Sequence, residues 1–379
     1  MKKVLIVFPL LPKYDIEFFE YFCQKYKDIS LYITADIHNK SDLTLDKYEE
    51  YDFKVIHTKI KHVGPFQNTL GLSKIIKQVN PDLIIYSASP RDLGQLFSIV
   101  KRKITNKNFY VWSMFHRIGG PRFYSTIYYK FLGHVSNRVL TYSRIGMRYQ
   151  IARGINSKKI DVIGTAIDEK KVLSISRDIQ KENILKEKYK LKNKFILLQV
   201  VRLTEIKKPY FLIDMMKKLI SQDKSFILIL IGGGAMEEEI KNYVKQLKLS
   251  DNILFLGPIY DENLLSCWFN LANLFVIPTC IGLSAHHAFA YGLPIVTDNS
   301  ATEQASEFDI LSDRLNCLLY EEGSIESFVN KIIELKQNEE LYERAASNAL
   351  VTVKEIYTLD KKARNLYQSI SRCFNEVAE

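Results

Sequence analysis

The stretch Phe195-Ile196-Leu197-Leu198-Gln199-Val200-Val201-Arg202-Leu203-Thr204-Glu205-Ile206-Lys207-Lys208-Pro209 decides how this chain is read. A mostly apolar run, Phe195 to Val201, has strand length, a polar turn follows, and a segment with helical spacing begins as the turn ends. A run without polar alternation reads as a strand covered on both faces. The same rhythm recurs outward in both directions. Downstream, Phe226 to Ile231, Ile253 to Leu256, Leu274 to Ile277, Ile295 to Thr297 and Cys317 to Tyr320 read as strands. Upstream, Val4 to Phe8, Ser30 to Thr34, Lys54 to Thr58, Leu83 to Ser87, Phe109 to Phe115, Val139 to Tyr142 and Ile160 to Ile163 do the same. Amphipathic stretches such as Ile16 to Tyr26 and Asn68 to Val79 lie between them. Strands alternating with helices predict an α/β fold with parallel sheets.

At 379 residues with 47% hydrophobic content the chain is long enough for two domains and apolar enough to fill both cores. The charged, apolar-poor segment Asp168 to Lys194 separates the two series of strands. It predicts an N-terminal Rossmann-like domain over 1–168, a linker region over 169–194 and a second Rossmann-like domain over 195–356, with a final helix in 357–379. Cys23, Cys267, Cys280, Cys317 and Cys373 show no C-x-x-C pair, which fits a reducing, cytoplasmic compartment. The opening MKKVLIVFPLLPKYD has two lysines before an apolar run but no small-residue cleavage site, so it reads as a first strand and not a signal peptide. Leu264 to Thr297 contains no charged residue, yet Asn270, Asn273, Pro278, His286, His287 and Pro294 interrupt it. It reads as strand, turn and helix in alternation, not as a membrane span.

Charge is unevenly placed. Residues 1–180 hold 29 Lys and Arg against 16 Asp and Glu, a balance of +13, which leaves −3 for 181–379. Between Asp92 and Asp161 there is no acid, while Lys101, Arg102, Lys103, Lys107, Arg117, Arg122, Lys130, Arg138, Arg144, Arg148, Arg153, Lys158 and Lys159 are basic. This half is expected to meet an anionic partner. No RNA- or DNA-binding motif accompanies the charge, so nucleic acid is not that partner. The expected partner is an anionic membrane surface.

In doubly wound domains ligands bind beyond the carboxyl ends of the strands. The first strand runs into Phe8-Pro9-Leu10-Leu11-Pro12, not a G-x-G-x-x-G, and no P-loop occurs, which argues against a nicotinamide enzyme and a P-loop nucleotidase. Three other strand ends carry chemistry. Arg202 stands at a strand end with Lys207 five residues on, where a helix begins; two cations beside free backbone N–H groups suit a pyrophosphate. Ile231-Gly232-Gly233-Gly234 ends the next strand, where glycines let a backbone approach a ligand closely. Pro278-Thr279-Cys280-Ile281-Gly282-Leu283-Ser284 leads into a helix that stops at Tyr291-Gly292-Leu293-Pro294.

These three elements, in this order, resemble the C-terminal domain of the retaining glycosyltransferases of family 4, which have the GT-B fold. The family's G-R-L-x-x-E-K-G is similar to Val201 to Lys208, and its P-S-x-x-E-G-F-G-L-x-x-L-E-A-M-A-x-G-x-P box is similar to Ile277 to Pro294. Gly282, Leu283, Ala288, Ala290, Gly292 and Pro294 match. Tyr142-Ser143 before a helix, and then Gly164 to Asp168, are similar to the family's path out of the first domain. The resemblance implies two doubly wound domains facing a cleft, a C-terminal helix crossing back to the N-terminal domain, and transfer with retention from a UDP- or GDP-linked sugar. It implies donor contacts from Gly233, Gly234, Thr279, Ile281, Gly282, Leu283, Ser284, His287 and Glu307. It departs from the family at the Glu-x7-Glu pair, whose positions hold Thr279 and His287. A neutral imidazole offers a ribose one acceptor and one donor where a carboxylate only accepts. Glu307, similar to the Glu of the family's P-E motif, is the nearest spare carboxylate.

The strand ending Phe115-His116-Arg117 brings a histidine to a carboxyl end, where it suits hydrogen bonding to a donor sugar or proton transfer. His116 joins Arg202 and Lys207 as a catalytic candidate, and Arg117, Arg122 and Lys130 are assigned to an acceptor or membrane surface. His38, His57, His62 and His134 lack ligand spacing and read as structural. No D-x-D occurs, so no metal and no cofactor are expected and the leaving diphosphate falls to Arg202, Lys207 and helix dipoles. The acceptor expected is a glycan or polyprenyl-diphosphate-linked glycan of bacterial surface polysaccharide synthesis. A nucleotide-sugar epimerase on the same fold and a sugar-nucleotide-binding subunit without turnover are the alternatives.

Overall fold

Val4, Leu5, Ile6 and Val7 are all wholly buried, which requires that both faces of their strand be covered. In the computed structural model, which describes residues 1–36, 51–120 and 122–375, they belong to a seven-stranded parallel sheet. Val4 and Ile6 enter one apolar cluster and Leu5 and Val7 another, as the two-residue period of a strand demands. The chain divides into two compact units, Met1–Asp168 with Leu359–Glu379, and Glu169–Thr358. His38 lies outside the described residues.

The first unit contains β1 (Lys2–Val7), β2 (Ile29–Ala35), β3 (Lys54–His57), β4 (Ile60–Val63), β5 (Phe66–Thr69), β6 (Leu83–Tyr86), β7 (Phe109–Ser113), β8 (Arg138–Thr141) and β9 (Ile160–Val162). Its sheet runs β3-β2-β1-β6-β7-β8-β9, and β4 and β5 form a separate antiparallel hairpin. On one face lies α1 (Lys13–Lys25). On the other lie α2 (Leu72–Val79), α3 (Leu93–Ile104), α4 (Phe123–Val135) and α5 (Arg144–Ala152), which contribute Leu72, Ile99, Leu132 and Met147 to one cluster. The hairpin was not expected: β4 buries only Ile60 and β5 only Thr69, so neither is an apolar run. The helix read from Asn68 begins at Leu72, because Thr69 is tied to Asp92, which accepts its N–H (3.2 Å) and hydroxyl (2.5 Å) while capping Gln95 of α3.

The second unit begins with α6 (Glu169–Leu173) and α7 (Ile179–Lys188), so 169–194 is folded structure and not a bare linker. Glu182 of α7 is buried and takes a bidentate Arg177, and Tyr189 packs edge-on against Trp268 at 5.4 Å. There follow β10 (Phe195–Val200), α8 (Pro209–Gln222), β11 (Phe226–Ile231), α9 (Glu237–Gln246), β12 (Ile253–Phe255), α10 (Glu262–Leu271), β13 (Leu274–Val276), α11 (Ser284–Ala290), β14 (Ile295–Asp298), β15 (Cys317–Tyr320), α12 (Ile325–Gln337) and α13 (Glu339–Val351). The sheet order is β12-β11-β10-β13-β14-β15, all parallel. The order reverses between β10 and β13, as it does between β1 and β6 in the first unit. Ligands of doubly wound sheets bind at such points. The uncharged stretch 264–297 is divided among α10, β13, α11 and β14, and no helix among the described residues is long and apolar enough to cross a membrane.

The last helix, α14 (Leu359–Asn375), rejoins the first unit. Leu359, Ala363, Leu366, Ile370 and Cys373 recur at helical spacing and enter the cluster that contains Phe18 and Phe22 of α1. Tyr367 stacks on Tyr26 at 4.0 Å, and Asp360 accepts from Tyr21 (2.6 Å), Lys25 and Arg364.

Candidate functional site

Four loops at the carboxyl ends of β10, β11, β13 and β14 are knitted together by backbone and side-chain bonds within the second unit. After β10, Leu203 N–H donates to the Gly233 carbonyl (2.9 Å) and Val201 N–H to the Ile231 carbonyl (3.0 Å). The approach is so close that a Cβ on Gly232 would lie 2.0 Å from the Val201 carbonyl oxygen, and one on Gly234 would lie 2.2 Å from that of Leu203. Gly232 also holds φ +126°, a conformation side chains rarely adopt. These two glycines therefore serve loop-to-loop packing first. Gly233 differs: a Cβ there meets only the Glu237 carboxylate at 3.2 Å and Pro258 at 3.8 Å.

Lys207 lies in a short 3-10 turn, Glu205–Lys207, and α8 starts two residues later at Pro209 behind Lys208 in the left-handed region. The sequence reading had the helix starting at Lys207. Proline fixes the first helical position, and the preceding residue is barred from helical geometry, so the turn and the helix stay distinct. The Lys207 ammonium donates to the Cys280 carbonyl and so joins the β10 loop to the β13 loop. Burial pushes the Cys280 thiol up, Lys207 opposes this, and Glu307 and Glu303 add to it, which puts one ammonium and two carboxylates within electrostatic reach of one point. Lys208 pairs with Glu303 at 3.5 Å and Glu322 at 3.8 Å. Arg202 is exposed at the same end of the sheet.

The β13 loop is held from beneath by residues the sequence did not single out. Gln304, wholly buried, accepts the Ile281 N–H at 2.8 Å and donates to Thr297 and Asp298. Burial raises the Asp298 carboxyl, while hydrogen bonds from Thr279, Gln304 and Ser300 pull it back. Nothing in the local pattern around Gln304 marks it, since the loop residue it holds, Ile281, is 23 residues upstream. Thr279 and Ile281 are themselves wholly buried, Thr279 with its hydroxyl donating to the Glu303 carbonyl at 3.2 Å. Their side chains pack the loop, whereas the other residues expected to meet the donor, Gly233, Gly234, Gly282, Leu283, Ser284, His287 and Glu307, keep at least partial exposure. A Cβ on Gly282 would meet nothing within 4 Å, so the chain itself leaves this space open. The paired histidines diverge: His286 is buried with its ring edge-on to Tyr357, and His287 stacks on Phe269.

The other candidates belong to the first unit. His116 is 6% exposed, its Nδ1 lies 3.1 Å from the Met114 carbonyl, and its ring stacks on Tyr149. Arg117, Arg122 and Lys130 are exposed. At the β1/β6 reversal a cavity of about 290 Å³ is lined by Phe8, Tyr14, Asp15, Ser87, Trp112 and Tyr142, among others. Burial pushes the Asp15 carboxyl up, against Lys362 at 3.9 Å. Nothing in the sequence marks this cavity, since its lining comes from turns and strand ends far apart in the chain. Several of the cations between Asp92 and Asp161 are committed internally, among them Arg102 to the Asn108 carbonyl, Arg138 to Asp161, Arg153 to the Phe115 carbonyl, and Lys159 to the Gly133 and His134 carbonyls.

Against known proteins, residues 180–351 match the sequence profile of the family described as Glycosyl transferases group 1. An uncharacterized glycosyltransferase of Haemophilus influenzae is 27% identical over 175 residues, 45% of this chain and 47% of that protein. The chain thus spans about half the length of the curated relatives it matches. Among solved structures, Anabaena Alr3699/HepE in complex with UDP superposes with a TM-score of 0.77 at 16% identity, covering 98% of this chain and 100% of that one. The same protein with UDP-glucose gives 0.74. A glycosyltransferase from Rickettsia africae gives 0.77 at 18% identity, covering 98% of each chain. The fold is therefore α/β of the GT-B type, with two Rossmann-like domains, as the resemblance implied.

Proposed function

We propose that this protein is a retaining glycosyltransferase of family 4 and hexosyltransferase type, with a UDP- or GDP-linked sugar as donor and the second unit as its binding domain. The observation that carries the reading is the coincidence of the Glycosyl transferases group 1 match over 180–351 with the knitted loops at 201–208, 232–234, 278–284 and 298–307. In this reading the diphosphate lies over Gly282, where the chain leaves room, and near Arg202 and Lys207. The bond from the anomeric carbon to the β-phosphate oxygen breaks, the acceptor oxygen bonds to that carbon on the same face, and the acceptor's proton passes to the departing phosphate. Arg202 and Lys207 meet the negative charge that grows on that oxygen, in place of a metal. His287 and Glu307 offer the ribose and sugar hydroxyls their hydrogen bonds. The acceptor is a glycan or polyprenyl-diphosphate-linked glycan, met by a protein that is cytoplasmic and peripheral at the inner face of the membrane.

Titration calorimetry with UDP, GDP and their sugars, followed by NMR of the product's anomeric proton, tests this. Micromolar binding of one nucleotide sugar and a product with the donor's configuration are expected. Absence of binding to every nucleotide sugar tried, or an inverted product, would overturn the reading.

A further inference from the structure

Half of the large apolar side chains that the described residues expose fall between Val63 and Phe131. On α3 they form a stripe, Leu93 (48%), Phe97 (67%) and Ile104 (79% exposed), and on α4 another, Phe123 (84%), Ile127 (53%) and Phe131 (39%). Each stripe keeps helical spacing, so each is one face of its helix. Both helices cover the same face of the first sheet, over β6 and β7, which are paired neighbours. Tyr128, midway along α4, donates to the Ser89 carbonyl a few residues before α3, which joins α4 to the segment that leads into α3. A groove of about 350 Å³ lined by Leu70, Leu93 and Phe97 continues the apolar surface to the hairpin.

The rim of this face is cationic. At the start of α4 the Tyr124 hydroxyl receives Arg122 (3.5 Å) and Arg91, with Arg117 in electrostatic reach. Lys130 is exposed on the same helix, and Lys101, Lys103 and Lys107 are exposed at the end of α3. Opposing acids are missing: from 53 to 160 the chain has only Asp82 and Asp92. Asp92 is buried, and Asp82 accepts the Lys3 N–H at the amino-terminal edge of β6. Apolar and aromatic side chains ringed by unopposed cations suit the boundary between lipid headgroups and acyl chains.

We infer that α3 and α4 form a docking face for an anionic lipid bilayer, into which Phe97, Ile104, Phe123, Ile127 and Phe131 insert while the cations contact headgroup phosphates. This deepens the peripheral-membrane part of the proposed function: attachment has an apolar component, so salt weakens it without abolishing it. The test is flotation of the full chain with vesicles of phosphatidylcholine, with and without phosphatidylglycerol, at low and high salt. The wild type should bind the anionic vesicles at low salt and retain a fraction at high salt. Phe123→Ser/Ile127→Ser/Phe131→Ser should lower partitioning about tenfold or more and remove the salt-resistant fraction. Phe123→Ser alone, at an almost fully exposed position, gives a smaller loss in the same direction and guards against misfolding of the triple variant. UDP titration of the same variants separates the two ideas, since unchanged UDP binding with lost flotation supports the docking face alone. Equal binding to neutral and anionic vesicles, wild-type flotation of the triple variant, or a lipid-free dimer that these substitutions dissolve would overturn the inference.

Discussion

The two units of this chain build one topology and put different chemistry where the strand order reverses. In the second unit the loops at the β10/β13 reversal carry Arg202, Lys207, Cys280 and Gly282, and the neighbouring β11 ends in three glycines. In the first unit the β1/β6 reversal is lined by Phe8, Trp112, Tyr142 and Asp15, with no glycine among them; Lys362 stands beside Asp15, and a group of exposed cations lies out on α3, α4 and the loop between β7 and α4. A doubly wound sheet thus supplies a position for a ligand, and the loops decide which ligand fits it. Cations on neighbouring loops at one sheet end suit a diphosphate, whereas cations spread over an apolar face suit a surface.

The largest effect that could break this contrast is kinetic. If the second unit's cations act on the leaving diphosphate, Arg202→Ala or Lys207→Ala should each lower kcat roughly a hundredfold, about 3 kcal/mol, because the charge they meet grows only in the transition state. Lys208→Ala should be mild, since Lys208 is already paired with Glu303 and Glu322. Steady-state kinetics on the three variants decides it, and near-normal turnover in both of the first two would remove the distinction between the units.

Glycine substitutions sharpen the contrast next. Gly232→Ala and Gly234→Ala push a methyl group into the Val201 and Leu203 carbonyls and should destabilise the chain by about 2 to 3 kcal/mol, read from denaturant unfolding. Gly233→Ala meets only a flexible carboxylate and should cost under about 1 kcal/mol. If Gly233→Ala leaves folding intact and still weakens UDP binding, the loop approaches the ligand at that residue.

His287→Ala should then weaken nucleotide binding by about 1 kcal/mol, the worth of one hydrogen bond, as measured by calorimetry. Unchanged affinity would remove His287 from the donor site. The smallest effect belongs to the closure of the first unit by α14. Tyr21, Lys25 and Arg364 hold the Asp360 carboxyl down to about 2, Lys25 first. A depressed carboxylate adds stability above its unfolded pKa, and this is lost as pH falls through about 2. Asp360→Asn should therefore cost up to about 1 kcal/mol at neutral pH, discounted for its partial exposure, and nothing once the wild-type carboxyl is protonated. Thermal melts across that range would show whether the gap closes.

Much of this protein was determined by its sequence alone. Most of the thirteen strands of the two parallel sheets contain a local apolar run, because a strand buried on both faces must be apolar at successive positions, and so α/β class and two domains were legible; β3, an edge strand with no fully buried residue, is the weakest of them. The cations at 202 and 207 and the glycines at 232–234 were legible as strand-end features for the same reason. Tertiary structure alone decided what those features touch. Gly232 and Gly234 face carbonyls of another loop, Thr279 points inward, and Asp92 ties the end of the β4–β5 hairpin to the start of α3. The clearest case is α3, where spacing by itself would bury the stripe of Leu93, Phe97, Val100 and Ile104. The fold instead buries Gln95, Ser98, Ile99 and Arg102, since Gln95 bonds Asp92 and Ser87, Ser98 meets Tyr86 at 2.6 Å and Arg102 reaches the Asn108 carbonyl. Tyr86 and Ser87 belong to β6 and its end and Asn108 leads into β7, so only the assembled sheet could satisfy the polar stripe and turn the apolar one outward.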